Sequence, residues 1–187
     1  MKKLDIEFNV EKQRLCGLLN LTYNPNEDPA VLIIGGGANI PLKQGYYPAW
    51  QEEMLNRGVS SLSFDFRGVG SSDIKLPETS LRTRLTDAHH ATDKLNESAK
   101  GPLYVARISM GAPIAIHLAN LIGAEGFILI SPAAYTEEVW GVNFGPEFSQ
   151  VIRQEGSWEG SPSFAALEQF KGKVLLAYGE QDDVIPT

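Results

Sequence analysis

Short apolar runs separated by helical patterns frame this chain. Ala30-Val31-Leu32-Ile33-Ile34 is continuously apolar, short and rich in β-branched side chains. A strand with one wet face alternates apolar and polar residues, whereas a strand covered on both faces need not. The run therefore predicts a strand inside a parallel sheet. Similar runs recur at Val59 to Phe64, Leu103 to Val105, Phe127 to Ile130 and Val174 to Tyr178. Helical patterns lie between them. Tyr47 to Arg57 is one, closed by Gly58 as a C-cap signal. Ser80 to Ser98 is another, with Leu81, Leu85, Ala88, Ala91 and Leu95 on one stripe. Met110 to Leu121 is apolar nearly all round, as a helix buried against a sheet is. The alternation predicts an α/β architecture, a mostly parallel twisted sheet with helices on both faces.

Two segments stand outside this rhythm. Leu4 to Val10 alternates apolar and polar residues, and Arg14 to Thr22 does so less regularly, which predicts antiparallel strands with one wet face. Ala133 to about Gln169 is rich in Gly, Ser and Glu and carries Trp140, Phe144, Phe148 and Trp158. Loops that long inside a compact domain are usually functional. Residues 133–169 are therefore read as a lid- or cap-like insertion within a single domain spanning 1–187. Its aromatic residues either line an apolar substrate pocket or pin the insertion to the body, and both readings stay open.

Bulk properties narrow the partners. A length of 187 residues suits one domain with a sizeable core. Sixteen basic against 23 acidic residues give a net charge of −7, which argues against a nucleic-acid or anionic-membrane surface. No apolar run approaches the roughly 20 residues of a membrane span. Cys16 is the only cysteine, so there is neither an internal disulfide nor a cysteine zinc cluster, and no metal is expected. Its place in a strand-like run predicts a buried, unreactive thiol. Asp5 and Glu7 interrupt any apolar stretch behind Met1-Lys2-Lys3, so no secretion signal is read and a reduced, cytoplasmic setting is the expectation.

Four motifs carry the chemistry. In Leu103-Tyr104-Val105-Ala106-Arg107-Ile108-Ser109-Met110-Gly111-Ala112-Pro113, a buried strand runs into a turn bearing a serine and then into an apolar helix. Ile33-Ile34-Gly35-Gly36-Gly37-Ala38-Asn39 is a glycine loop after a buried strand, lacking the G-K-[ST] and G-x-G-x-x-G spacings of nucleotide sites. Asp65-Phe66-Arg67-Gly68-Val69-Gly70-Ser71-Ser72 follows the next strand, and Gly179-Glu180-Gln181-Asp182-Asp183-Val184-Ile185-Pro186 follows the last one. Together, in this order, they resemble the α/β-hydrolase family of serine esterases, lipases and aminopeptidases, over nearly the whole chain. The resemblance implies that Ser109 is a nucleophile on an elbow. Met110 N–H is one oxyanion donor, Gly37 the second with Gly36 next, and Asp182 the acid that orients a histidine, Asp183 being the runner-up. Asp65 and Arg67 are given structural roles. The implied activity is hydrolysis of a small-molecule ester or thioester without a cofactor. A non-catalytic binding module and a peptidase on the same fold are the alternatives.

Two departures accompany the resemblance. The family pattern G-x-S-x-G has Arg107 at its first glycine, and a buried charge there is costly unless paired. Arg107 is expected to point away from the serine or to form an ion pair beside it. The family order is serine, acid, histidine, yet His89, His90 and His117 all precede Asp182. His117 lies about 12 Å along the helix axis from Ser109 at 1.5 Å per residue. The expectation is a chain whose last strand and histidine loop are missing; truncation is favoured over a non-catalytic relative or completion by a partner chain. Val174 to Tyr178 would then be an exposed sheet edge open to pairing with another copy.

Overall fold

The computed structural model describes residues 1–35, 41 and 45–182. Strand β1 (Lys2–Val10) turns through Glu11, at φ 55°, into β2 (Gln13–Leu21). Then follow β3 (Ala30–Ile34), α1 (Tyr47–Asn56), β4 (Ser60–Phe64), α2 (Leu81–Asn96), β5 (Leu103–Ile108) and α3 (Ala112–Ile122). The chain continues through β6 (Gly126–Ile130), α4 (Pro146–Ile152), α5 (Pro162–Gln169) and β7 (Lys173–Ala177). Among the described residues the strands form one sheet in the order β1-β2-β4-β3-β5-β6-β7. The first two joints of that order are antiparallel and every other joint is parallel.

The burial of β3 explains its uninterrupted apolar run. All its residues are buried, and successive side chains go to opposite faces. Leu32 and Ile34 join the larger core with Leu62, Leu81, Leu95, Val105 and Leu118, under α2 and α3. Val31 and Ile33 join a smaller core with Tyr47 and Ala106, under α1. Helices therefore cover both faces, as the sequence predicted. Helix α2 starts at Ser80, whose hydroxyl accepts from Thr83 N–H while the Thr83 hydroxyl accepts from Ser80 N–H. Helix α3 ends at Gly123 in the left-handed region, φ 62°.

The 133–169 segment is not an irregular loop. It holds a 3₁₀ turn (Glu137–Gly141), α4 and α5. Val139, Trp140, Phe144 and Phe148 are buried in the larger core, while Trp158 stays exposed. Phe144 N–H donates to the Thr79 carbonyl at 2.8 Å, tying the segment to the approach to α2. Cys16 is only partly buried and its Sγ lies 3.6 Å from the Ser71 hydroxyl, a correction to the buried thiol expected. Strand β7 is apolar like the buried strands, yet all its residues are exposed, Leu175 by 57%, as expected of a sheet edge. Among the described residues it pairs with β6 alone.

Candidate active site

Parallel pairing puts the C-terminal ends of β3, β5, β6 and β7 at one edge of the sheet, and the sequence motifs follow those ends. Strand β5 stays extended to Ile108, φ −119° and ψ 140°. Ser109 then swings to φ 59°. A left-handed conformation in a residue with a Cβ costs about 1–3 kcal/mol and persists only where the surroundings impose it. A 3₁₀ turn over Ser109–Gly111 feeds directly into α3, with Pro113 in the first turn where no N–H bond is lost. A serine is thus presented at a strand-to-helix turn, with the amino end of an apolar helix immediately behind it. Backbone N–H groups there are unsatisfied within the helix and favour negative charge. Met110, the first residue after the serine, is half-buried.

Arg107 lies inside this turn. Its side chain is 1% exposed, and Nη1 donates to the Ile34 carbonyl at 2.7 Å. A Cβ on Gly111 would fall 1.7 Å from Nε. The guanidinium therefore occupies space that only glycine leaves at 111. No carboxylate pairs with Arg107 among the described residues, so the expected ion pair is not what holds it; a carbonyl does. Nε and Nη2 have no hydrogen-bond partner there. The titratable groups around it are Arg84 and the phenols of Tyr47, Tyr46 and Tyr135. Burial, then the like charge of Arg84, pushes the Arg107 guanidinium down to about 9, still protonated at neutral pH. Burial raises the Tyr135 phenol to about 12 against the pull of Arg107. Tyr46 is raised well above the ordinary phenol range, first by burial and then by its 3.4 Å hydrogen bond to Tyr47. Tyr47 Oη comes within 3.3 Å of where a Cβ on Gly35 would lie. Arg84 sits between the Phe66 and Phe144 rings, 4.9 and 4.4 Å from their centroids.

Sequence reasoning singled out Arg107 as an anomaly but missed this cluster. The adjacent Tyr46-Tyr47 pair after the glycine loop was its one visible signal. Gly36 and Gly37, the expected second oxyanion donors, lie outside the described residues, as does Asp183. Gly35, the residue before them, follows directly on Ile34, which pairs with Arg107 in the sheet. Asp182 is described and half-buried. It closes a turn after β7 through its N–H to the Gly179 carbonyl, 3.2 Å. It therefore stands at the same end of the sheet as Ser109, with β6 between their strands. The segment after β6 bridges them: Ser131 N–H donates to the Ala177 carbonyl at 2.7 Å, and Ala133 N–H to the Ser109 carbonyl at 3.5 Å.

Arg67 is a structural anchor. Its Nε and backbone N–H donate to the fully buried Asp87 carboxylate at 2.6 and 3.0 Å, and Nη1 to Glu11 at 2.6 Å. Asp65 fills the space beside Gly70, where φ is 61° and an added Cβ would meet its Oδ2 at 2.3 Å. Among the described residues no hydrogen bond joins a histidine to Ser109. His89 Nδ1 is 3.8 Å from Asp93. His117 packs edge-on against Trp140, centroids 4.7 Å apart. A cleft of about 210 Å³ between the β1–β2 hairpin and α1 is lined by Lys3, Leu18, Gln51 and Glu52 among others, and by no residue of the Ser109 turn.

A mostly parallel sheet, helices on both faces and a strained serine at a strand-to-helix turn define an α/β hydrolase. The model of the family described as serine aminopeptidase, S33, matches residues 27–157, and the chain belongs to that family within the α/β hydrolases. No curated protein sequence matches the chain. Among solved structures it is similar to an α/β serine hydrolase homologue from Coxiella burnetii, at 16% identity and TM-score 0.71, covering 100% of this chain and 78% of that one. It is also similar to Est1E from Butyrivibrio proteoclasticus with ferulic acid bound, at 22% identity and TM-score 0.67, covering 93% and 89%. The esterase Pf2001 from Pyrococcus furiosus matches at 20% identity and TM-score 0.65, covering 94% and 68%. Of one longer matching hydrolase the chain spans only 48%.

Proposed function

We propose that this protein is a serine acyl hydrolase of the carboxylesterase type, acting on a small-molecule ester or thioester. The observation that carries the reading is Ser109 at φ 59° between a buried parallel strand and an apolar helix. In the proposed reaction Ser109 Oγ attacks the acyl carbon and the carbonyl π electrons move to oxygen. Met110 N–H and a donor from Gly37 or Gly36 hold that oxyanion. Its collapse expels the alcohol or thiol, which takes the serine proton back from the imidazolium, and leaves the acyl group on Oγ; water, giving a proton to the same imidazole, then attacks that ester, and the acid leaves as the proton returns to Oγ. Asp182 is assigned the orientation of the imidazole that takes the serine proton. None of His89, His90 or His117 hydrogen-bonds Ser109 among the described residues, so none of the three is assigned that role. The family model and neighbours such as Est1E and Pf2001 support hydrolysis as the chemistry, and the lone cysteine suits a cytoplasmic setting.

Peptide-bond cleavage is a second reading, favoured by the family's description as serine aminopeptidase. The 133–169 segment, with Trp140, Phe144 and Phe148 packed on the body, is proposed as the cap over the acyl group in either case. Comparing p-nitrophenyl esters of increasing acyl length with aminoacyl p-nitroanilides separates the two. In a form that supplies the imidazole, ester turnover that is lost in Ser109→Ala is expected, the chain by itself being weak or inactive; turnover of anilides alone would favour the peptidase. Tight binding of the esters with no turnover of either substrate would favour a non-catalytic binding module.

A further inference from the structure

Resting on Ser109 as the nucleophile, we propose that Arg107 is a positioning residue that holds a fixed positive charge beneath the serine turn, where the oxyanion develops. Geometry carries the argument. The guanidinium is fully buried, lies against the Gly111 backbone and is fastened by Nη1 to the carbonyl of Ile34. Ile34 is the last residue of β3, and the glycine loop begins at the next residue. One side chain thus links the strand that ends in the serine turn to the strand that ends in the loop.

The charge balance points the same way. A buried cation is ordinarily paired with a carboxylate, because leaving it uncompensated is costly. Arg67 obeys that rule through Asp87. Arg107 does not, among the described residues: phenols and a second cation, Arg84, surround it. Among the described residues, then, no carboxylate balances the charge of Arg107 at the turn. An anion forming on the substrate oxygen brings the missing negative charge, so the interaction is stronger in the transition state than in the ground state. Only interactions with that property raise the rate of the chemical step. The hydrogen bond to Ile34 keeps the charge from reorienting, which is the condition for preorganised electrostatic stabilisation.

The test compares Arg107→Lys, Arg107→Gln and Ser109→Ala in the full chain, each checked for fold by circular dichroism and thermal melting. Gln keeps an N–H donor for the Ile34 carbonyl but removes the charge; Lys keeps the charge. With p-nitrophenyl acetate, Arg107→Gln is expected to lower kcat at least tenfold with KM within about twofold, and Arg107→Lys to recover most of the loss. Equal rates in Arg107→Gln and wild type would overturn the proposal, as would a Lys variant no better than Gln. Affinity for phenylboronic acid, a tetrahedral anion once bound to a serine, gives a readout independent of turnover. It should weaken at least tenfold in Gln and little in Lys, and an unchanged affinity in Gln would again overturn the proposal. If Arg107→Gln does not fold, the Lys variant alone decides, since loss of boronate affinity with the charge retained contradicts the role. Undiminished activity in Ser109→Ala, or a wild type that neither hydrolyses the ester nor binds the boronate, would instead remove the Ser109 reading beneath it.

Discussion

Gly111 and Arg107 occupy each other's space, which gives a sharp expectation for a single methyl group. Gly111→Ala would place a Cβ 1.7 Å from Arg107 Nε. Overpacking of that kind costs about 1–3 kcal/mol. Urea denaturation should show that loss, and it should shrink when Arg107 is also replaced by glycine, because contacting residues are not additive. An undiminished penalty in the double variant would mean that the clash lies elsewhere. At Asp87 the stakes are electrostatic. Removing one partner of a buried ion pair costs about 3–5 kcal/mol, so Asp87→Ala should lower stability on that order, while Asp93→Ala, on the exposed face of the same helix, should change it by under about 0.5 kcal/mol. His117 supplies a pH dependence. Burial lowers its imidazole below the ordinary 6.5, so the unfolded chain takes the proton first as pH falls. The stability tied to a neutral His117 is present above pH 6.5 and declines below it. His117→Leu should flatten that part of the acid limb in melts run across that range.

Among the elements, β7 is the apolar strand left uncovered, the open edge that its sequence position led us to expect. Val174, Leu175 and Leu176 are exposed by 44, 57 and 45% on a strand paired along one side among the described residues. An apolar open edge is a template for pairing with another chain. Association that rises with concentration on a sizing column and is suppressed by Leu175→Lys is the expected outcome; a monomer at all concentrations would contradict it. The remaining strands were legible because β3, β4 and β6 are covered on both faces or nearly so, and continuous apolar runs encode that. The C-terminal end of β5 was not. Arg107 and Ile108 belong to the strand, but a charged residue in the run hid the extension, since nothing in one dimension says that a carbonyl and a glycine await the guanidinium. The helices of the 133–169 segment were illegible for another reason. They are short, and their aromatic residues are spaced to meet the core at separate points rather than along one stripe.

On the scale of the whole molecule, the order of motifs along the chain becomes one working edge because every strand that carries one, from β4 onward across the sheet, runs the same way. That is why the ends that carry Ser109 and Asp182 could be placed at one edge of the sheet from the order of the strands, whereas the charge environment of the serine could not be read. Side chains distant in sequence, from Tyr46 to Tyr135, build it. The most direct test of the central claim is covalent labelling with a fluorophosphonate followed by peptide mapping. The account predicts a single phosphonyl adduct on the peptide that contains Ser109, absent in Ser109→Ala. An adduct on another residue, or none on Ser109 while ester hydrolysis persists in Ser109→Ala, would contradict it.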